Sequence, residues 1–269
     1  MKKTLFLSFS LLLLACTKEI DSSKTGTTPT VPGGTIGDTT KTGGNNNGSN
    51  LNGINFSCVG TPVGSFQNNV TDVEGNSYKT VKIGTQIWMA ENLKTSKYND
   101  GTVIPNISDN TQWSNLTTGA WAYHNNDAAN NAKYGKLYNW YAVSSTTNGN
   151  KNVCPTGWHV PTDTEWMVLT DYLGSDSVAG GKMKEVGTIN WNSPNTNATN
   201  TSLFSGLPGG YFSSGFSKFN GIGYNANWWS TTVSNSVGAL YLILSCDDNE
   251  AGLDSQNKKS GFSIRCLKN

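Results

Sequence analysis

The sequence predicts an α+β domain in which short helices surround a twisted, loop-rich antiparallel sheet. Three observations point there. Several short stretches alternate apolar and polar residues, one stretch carries a full helix-start signature, and Gly- and Asn-rich turns recur from Phe56 onward. Composition agrees: among 269 residues only 14% are charged, against ~25% in typical soluble domains. Neutral polar residues replace them, with 30 Gly and 34 Asn, while 9 Trp, 10 Tyr and 9 Phe supply material for a core.

The N-terminus has its own logic. In residues 1–15, Lys2 and Lys3 form a basic start, Leu5 to Leu14 an apolar run, and Ala15 precedes Cys16 at a small-residue cleavage point. A run of ~10 residues is too short to cross a ~30 Å hydrocarbon core, so it reads as a leader. Leu13-Leu14-Ala15-Cys16 resembles the bacterial lipobox, which implies acylation of Cys16 and membrane contact through lipid. Thr17-Lys18-Glu19-Ile20-Asp21 resembles the surface-export signal of Bacteroidetes lipoproteins, implying an outer-membrane protein that faces the cell exterior.

Residues 16–55 then read as the lipidated Cys and a Ser/Thr/Gly/Asn-rich tether, too poor in large apolar side chains to offset its ordering entropy. As a coil it holds the following domain roughly 30–35 Å from the lipid. Asp38-Thr39-Thr40 and Asp176-Ser177-Val178 resemble short O-glycan attachment sites of the same bacteria. Removing the leader leaves 17 basic against 18 acidic residues. Such a chain has no field to attract phosphate backbones, which argues against nucleic-acid binding.

Residues 56–269 read as a single globular domain. Tyr78-Lys79-Thr80-Val81-Lys82-Ile83 alternates as a half-buried strand, and Gly84-Thr85 turns it into Gln86-Ile87-Trp88-Met89 as a hairpin. In Tyr134–Val143, Leu137, Trp140 and Tyr141 fall at the spacing of one helix face. The clearest helix starts at Thr162, with Glu165 completing a capping box; Trp166, Leu169 and Leu173 share its inner face and Gly174 ends it. Strand pieces follow at Leu207–Phe212, Ile222–Tyr224, Trp228–Thr232, Ala239–Leu244 and Gly261–Cys266.

Several of these stretches, taken together, resemble the Fibrobacter succinogenes major paralogous domain family. They are Thr71-Asp72-Val73-Glu74-Gly75-Asn76 with Tyr78, Ile83 through Leu93, and Tyr134-Gly135-Lys136-Leu137-Tyr138-Asn139-Trp140. Cys154 through Thr162, Leu207-Pro208-Gly209-Gly210, Trp228-Trp229-Ser230 and Gly261-Phe262-Ser263-Ile264-Arg265-Cys266 complete the set. The resemblance implies a secreted or lipid-anchored protein of a family with no established activity. Val160-Pro161-Thr162 to Trp166 and the closing segment are also similar to sulfatase-modifying enzymes, which implies a C-type-lectin-like fold with ligand-binding loops.

With Cys16 assigned to lipid, Cys58, Cys154, Cys246 and Cys266 remain, an even number that suits two disulfides in an exported protein. Four cysteines allow three pairings. The resemblance implies Cys154–Cys266, and Cys58–Cys246 then follows by elimination.

Catalytic sets do not assemble. Sulfatase-modifying enzymes need a pair of reactive cysteines near the C-terminal end, yet only Cys246 lies between Trp229 and Cys266. A three-His iron site needs more than His124 and His159, the two in the chain. His159 sits in an apparent strand and reads as structural; His124 lies in a polar loop and reads as solvated. No Gly-x-Ser-x-Gly elbow is present. Asp163 and Glu165 read as helix N-terminal charges.

Binding residues are easier to nominate, because aromatic faces stack on sugar rings. Trp88, Trp140, Trp158 and Trp166 read as core. Strand alternation sends one of Trp228 and Trp229 outward, and Trp191 sits in a polar loop as an exposed candidate. With Tyr211 these form the ligand-binding candidates. No cofactor is required. Asp247, Asp248 and Glu250 are the one candidate Ca²⁺ cluster, although they lack the spacing of an EF-hand loop.

The expectation is therefore a non-enzymatic cell-surface module that binds a neutral glycan or a protein. A polysaccharide hydrolase and a ligand-free structural envelope protein are the alternatives.

Overall fold

Short strands joined by tight turns build the first sheet. The computed structural model describes residues 61–269. The leader, Cys16, the 16–55 tether and Cys58 lie outside the described residues. Strands β1 (Gly64–Thr71), β2 (Ser77–Ile83) and β3 (Gln86–Met89) form an antiparallel meander. Ile83 pairs with Gln86 across a two-residue turn that uses Gly84 at φ +60°, a conformation that favours glycine. Between β1 and β2, Asp72 Oδ1 accepts from the amides of Glu74 (2.9 Å) and Asn76 (3.0 Å), and its Oδ2 accepts from Tyr78 OH (2.6 Å). That turn accounts for the Thr71–Asn76 motif and the tyrosine that follows it.

The middle of the chain is irregular: α1 (Asn110–Ser114), β4 (Trp121–Ala122), α2 (Ala129–Tyr134), β5 (Leu137–Asn139), α3 (Trp140–Val143) and β6 (Trp158–His159). Periodicity alone predicts one helix here, but Leu137 lies in β5 and the helix begins only at Trp140. Asn139 is the reason. Its side chain accepts from the Ala142 amide as an N-cap and from the Ala120 amide beside it, starting the helix there.

Helix α4 (Asp163–Tyr172) has the expected capping box, with Thr162 and Glu165 satisfying each other's amides. It buries Trp166 and Leu169, and Gly174 follows Leu173 at φ +107°. Helix α5 (Asp176–Met183) comes next, then β7 (Gly209–Ser213), β8 (Lys218–Ile222), β9 (Asn225–Val233), β10 (Gly238–Ser245), β11 (Gly252–Asn257), β12 (Gly261–Phe262) and β13 (Leu267–Lys268). The expected strand at Ile222–Tyr224 ends at Ile222, because Gly223 turns the chain at φ +82°.

Two sheets result, mostly antiparallel. The smaller runs β1-β2-β3-β13-β6 and the larger β11-β10-β9-β7-β12-β5-β4, with β8 paired to β7. One parallel contact, Gly210 with Ala226, joins β7 to β9. The last nine residues stitch the sheets together: β12 lies between β7 and β5, and β13 between β3 and β6. The Cys154–Cys266 disulfide ties this segment to the approach to β6.

The α+β class and the short helices agree with expectation. Loop chemistry accounts for part of the Asn excess: among the described residues, six of the ten non-glycine residues at positive φ are Asn, which tolerates that region. Side-chain amides of Asn139 and Asn195 donate to the loop carbonyls of Thr118 and Glu185, and those of Asn130, Asn148 and Asn152 donate to the carbonyls of His124, Ala142 and Trp158.

Candidate functional site

The motif residues converge on one buried amide. Asn92 Oδ1 accepts from Trp228 Nε1 (2.8 Å) and Arg265 Nε (2.9 Å), while its Nδ2 donates to Tyr134 O (2.8 Å) and Ser263 Oγ (3.2 Å). Arg265 also donates to the carbonyls of Phe204 and Ser205, and its guanidinium lies over the Phe204 ring at 4.1 Å. Burial lowers its proton affinity, yet a guanidinium with this many acceptors stays charged at neutral pH. Strings from five parts of the chain thus meet to hold the fold.

Other cations repeat the design. Lys136 donates to Lys94 O over the Trp121 ring (4.4 Å), and Lys258 to Asn235 O and Ser236 O over Trp140 (4.9 Å). Lys184, fully buried, donates to Ser245 O and Asp248 O beside Trp191. Each cation ties loop carbonyls to an aromatic face. Burial lowers the Lys184 pKa, an effect opposed by Cys246, Asp248 and Asp247 nearby.

That ammonium changes the reading of the acidic loop. Asp247, Asp248 and Glu250 are exposed. Asp247 Oδ1 accepts from Ser245 Oγ, and Asp248 Oδ1 from the amides of Asn249 and Glu250. Among the described residues no three acidic, His or Cys side chains form a metal-ligating group.

The tryptophan candidates need correction. All nine are buried. Trp191 is 1% exposed: its loop folds back, the indole donates to Gly206 O (2.9 Å), and Asn192 and Asn195 carry the loop's polar contacts. Trp228 and Trp229 do point to opposite faces of β9. Both faces are covered, Trp228 by Trp166 and Phe204 and Trp229 by Phe262 and Tyr241, so neither reaches solvent. His124, expected solvated, is 3% exposed against Phe219, with Nε2 3.2 Å from Asn220 O. His159 is structural as expected, bridging Glu165 (2.9 Å) and Asn269 (2.6 Å).

Cys154–Cys266 forms as the resemblance implies. Cys246 is a buried free thiol among the described residues, and its assigned partner Cys58 lies outside them. Burial pushes its thiol pKa up.

Tyr211 alone of the aromatic candidates reaches a concavity. Register explains why. Asn227 pairs with Ile243, Trp229 with Tyr241, and Tyr241 with Asp254, so odd-numbered residues of β9 and β10 share one face with the even-numbered residues of β11. That face presents a depression of about 80 Å³, lined by Tyr211, Asn225, Asn227, Tyr241, Ile243, Gln256 and Phe262. No lining residue is charged. Asn227 is 2% exposed and its Nδ2 has no hydrogen-bond partner. Tyr241 donates to Asp254 Oδ2 (3.2 Å); burial, with Asp254 beside it, pushes its phenol well above the ordinary range. Sequence reasoning missed Asn225 and Asn227 because their significance depends on the register with β10.

A second cleft, about 260 Å³, lies beside Asn92 and includes Phe66, Lys79, Glu91, Lys133 and Glu185. Both carboxylates have partners: Glu91 accepts from the Lys79 amide (2.7 Å) and Glu185 from Asn190 (2.6 Å).

Residues 81–268 match the Fibrobacter succinogenes major domain. No curated protein and no solved structure matches the chain.

Proposed function

Since the chain belongs to the Fibrobacter succinogenes major domain family, whose motifs here serve the fold, we propose that its function lies in the depression on the larger sheet. The protein is a surface lipoprotein, anchored through Cys16 in the outer membrane, whose domain binds a neutral glycan without catalysis. Its sheet and loop arrangement is read as C-type-lectin-like.

One observation carries this reading: a depression with no charge in its lining, in which tyrosine and phenylalanine rings stand beside the side chains of Asn225 and Gln256. Aromatic edges and faces suit the C–H faces of sugars, and amides suit their hydroxyls. Binding needs no Ca²⁺ on this reading, because no carboxylate lines the depression.

The test is a screen of the full-length protein, purified in detergent, against plant, mucin and bacterial glycans, with cell adhesion compared in the presence and absence of the gene. Binding to a neutral glycan, insensitive to EDTA and weakened about tenfold in Tyr211→Ala, is expected. Absence of binding to any glycan, with unchanged adhesion, overturns it.

The cleft holding Glu91 and Glu185 supports a second reading, since polysaccharide hydrolysis uses two carboxylates across one cleft. Turnover of a polymer, abolished by Glu91→Gln or Glu185→Gln, would establish that reading instead.

A further inference from the structure

We infer that the cleft beside Asn92 is a second binding site, which takes a hexuronic acid residue through its carboxylate. It shares no residue with the depression on the larger sheet and does not rest on the neutral-glycan reading. Charge points to it. Beyond the leader the chain carries 17 basic and 18 acidic residues, so an excess of one sign in one cleft has to be local. Lys79 of β2 and Lys133 near the end of α2 both line the cleft and both are exposed. Among the described residues neither forms an ion pair.

A third cation stands behind the floor. Arg265 is fully buried, and its acceptors are the neutral oxygens of Asn92, Phe204 and Ser205, of which Asn92 and Ser205 line the cleft. Its field therefore reaches the cleft through a poorly screened interior. Glu91 is already offset, with Oε2 on the Lys79 amide (2.7 Å) and Oε1 3.7 Å from Lys94 Nζ. Among the lining residues Glu185 alone then opposes Lys79, Lys133 and Arg265. The cleft favours a net anion over a neutral or zwitterionic ligand.

The other lining groups narrow the anion. Glu185 Oε2 accepts from Asn190 (2.6 Å), which leaves Oε1 to accept from a ligand hydroxyl. A phosphate ester or an acidic side chain brings charge without a hydroxyl donor beside it. Phe66, 57% exposed, and Leu207 offer apolar surface to the C–H face of a pyranose. A hexuronic acid residue matches all three: its carboxylate meets Lys79 and Lys133, a ring hydroxyl donates to Glu185, and its ring covers Phe66. Size agrees, since about 260 Å³, at roughly 10–15 Å³ per water-sized group, accommodates a whole sugar residue.

The experiment titrates the full-length protein in detergent with trigalacturonate, its trimethyl ester, inorganic phosphate and an alanyl-phenylalanine dipeptide, by calorimetry at low and raised salt. Trigalacturonate should bind at least about tenfold tighter than the other three, and more weakly as salt rises. Lys79→Ala and Lys133→Ala, both at exposed positions, should each weaken it severalfold, and Phe66→Ala should weaken it as well. Lys82→Ala, which alters an exposed lysine of the same strand outside the cleft, should leave it unchanged. Absence of trigalacturonate binding, equal affinity for acid and ester, or an equal loss in Lys82→Ala would overturn the assignment. Phosphate or the dipeptide binding as tightly as trigalacturonate would overturn it too, in favour of a general anion or zwitterion site. Tyr211→Ala should not alter trigalacturonate binding, so failure of the neutral-glycan reading and failure of this one are told apart.

Discussion

Asn92 and Arg265 are 173 positions apart in the chain, and Asn92 Oδ1 lies 2.9 Å from Arg265 Nε in the buried centre between the two sheets. One carbonyl oxygen thereby serves a guanidinium and, at 2.8 Å, the Trp228 indole. The amide fixes how the β3 end, β9 and the C-terminal segment meet.

Removing that oxygen should be severe. Asn92→Ala leaves a buried guanidinium short of an acceptor and the Trp228 N–H without one. A loss of about 2–4 kcal/mol is expected, because a buried donor left unpaired costs ~1–3 kcal/mol and a charged one more. Urea unfolding measures it, and a loss below about 1 kcal/mol would contradict the role given to Asn92.

The Cys154–Cys266 bridge closes a loop of sequence separation 112. In the chain-entropy treatment such a loop contributes about 4–5 kcal/mol. The double variant Cys154→Ser/Cys266→Ser should lower the urea midpoint accordingly, and reduction of the wild type should reproduce the shift.

Lys184 should govern the 245–250 loop. Lys184→Met orphans Ser245 O and Asp248 O, so amide exchange in that loop should rise and stability fall by about 1–3 kcal/mol. Gly180→Ala attacks the same contact from the helix, because its Cβ would lie 2.2 Å from Glu250 O; a similar loss of ~1–3 kcal/mol is expected. Millimolar Ca²⁺ should leave the wild-type Tm unchanged. A rise of several degrees would restore the acidic loop as a calcium site.

Acid should destabilise the domain in two windows. Burial lowers the His124 pKa below 6.5, outweighing its hydrogen bond to Asn220. As pH falls below 6.5 the unfolded chain takes up a proton that the folded state refuses, so stability declines. His124→Gln should flatten that part of the profile. Burial alone would raise the Glu165 pKa, but the Thr162 amide, His159 and the Thr162 hydroxyl together bring it below 4.5. Its contribution is complete above 4.5 and is lost as pH falls through the lower folded value. Glu165→Gln should reduce the second decline, to which Glu74 also contributes, read by thermal unfolding at stepped pH.

Local signals were legible where one short stretch holds all the physics. The capping box at Thr162 and Glu165 and the Gly84 turn each involve residues within a few positions and appear as expected; Tyr78–Ile83 forms a strand as expected but not a half-buried one, since Tyr78 and Thr80 are buried on one face and Val81 and Ile83 on the other. Asn139 shows the limit. Its cap to Ala142 is local, but the competing helix periodicity of Leu137, Trp140 and Tyr141 hides it until the Ala120 contact is known.

Binding residues were the least legible. Trp191 sits among polar neighbours yet is buried, because Asn192 and Asn195 satisfy the loop while the indole fills the space under Gly206. Tyr211 was nominated as an aromatic in a strand; its neighbours Asn227 and Gln256 come from strands whose pairing no local pattern specifies.

The sequence by itself determined the α+β class, the family motifs and the start of the capped helix at Thr162, since capping acts over a few residues. Tertiary structure alone decided which aromatics reach solvent, where the buried cations rest, and which face of the sheet keeps an unpartnered amide. Those outcomes depend on contacts such as Asn92 with Arg265 and Asn227 with Ile243. Burial is a property of the surroundings, and the surroundings of each residue here come from distant parts of the chain.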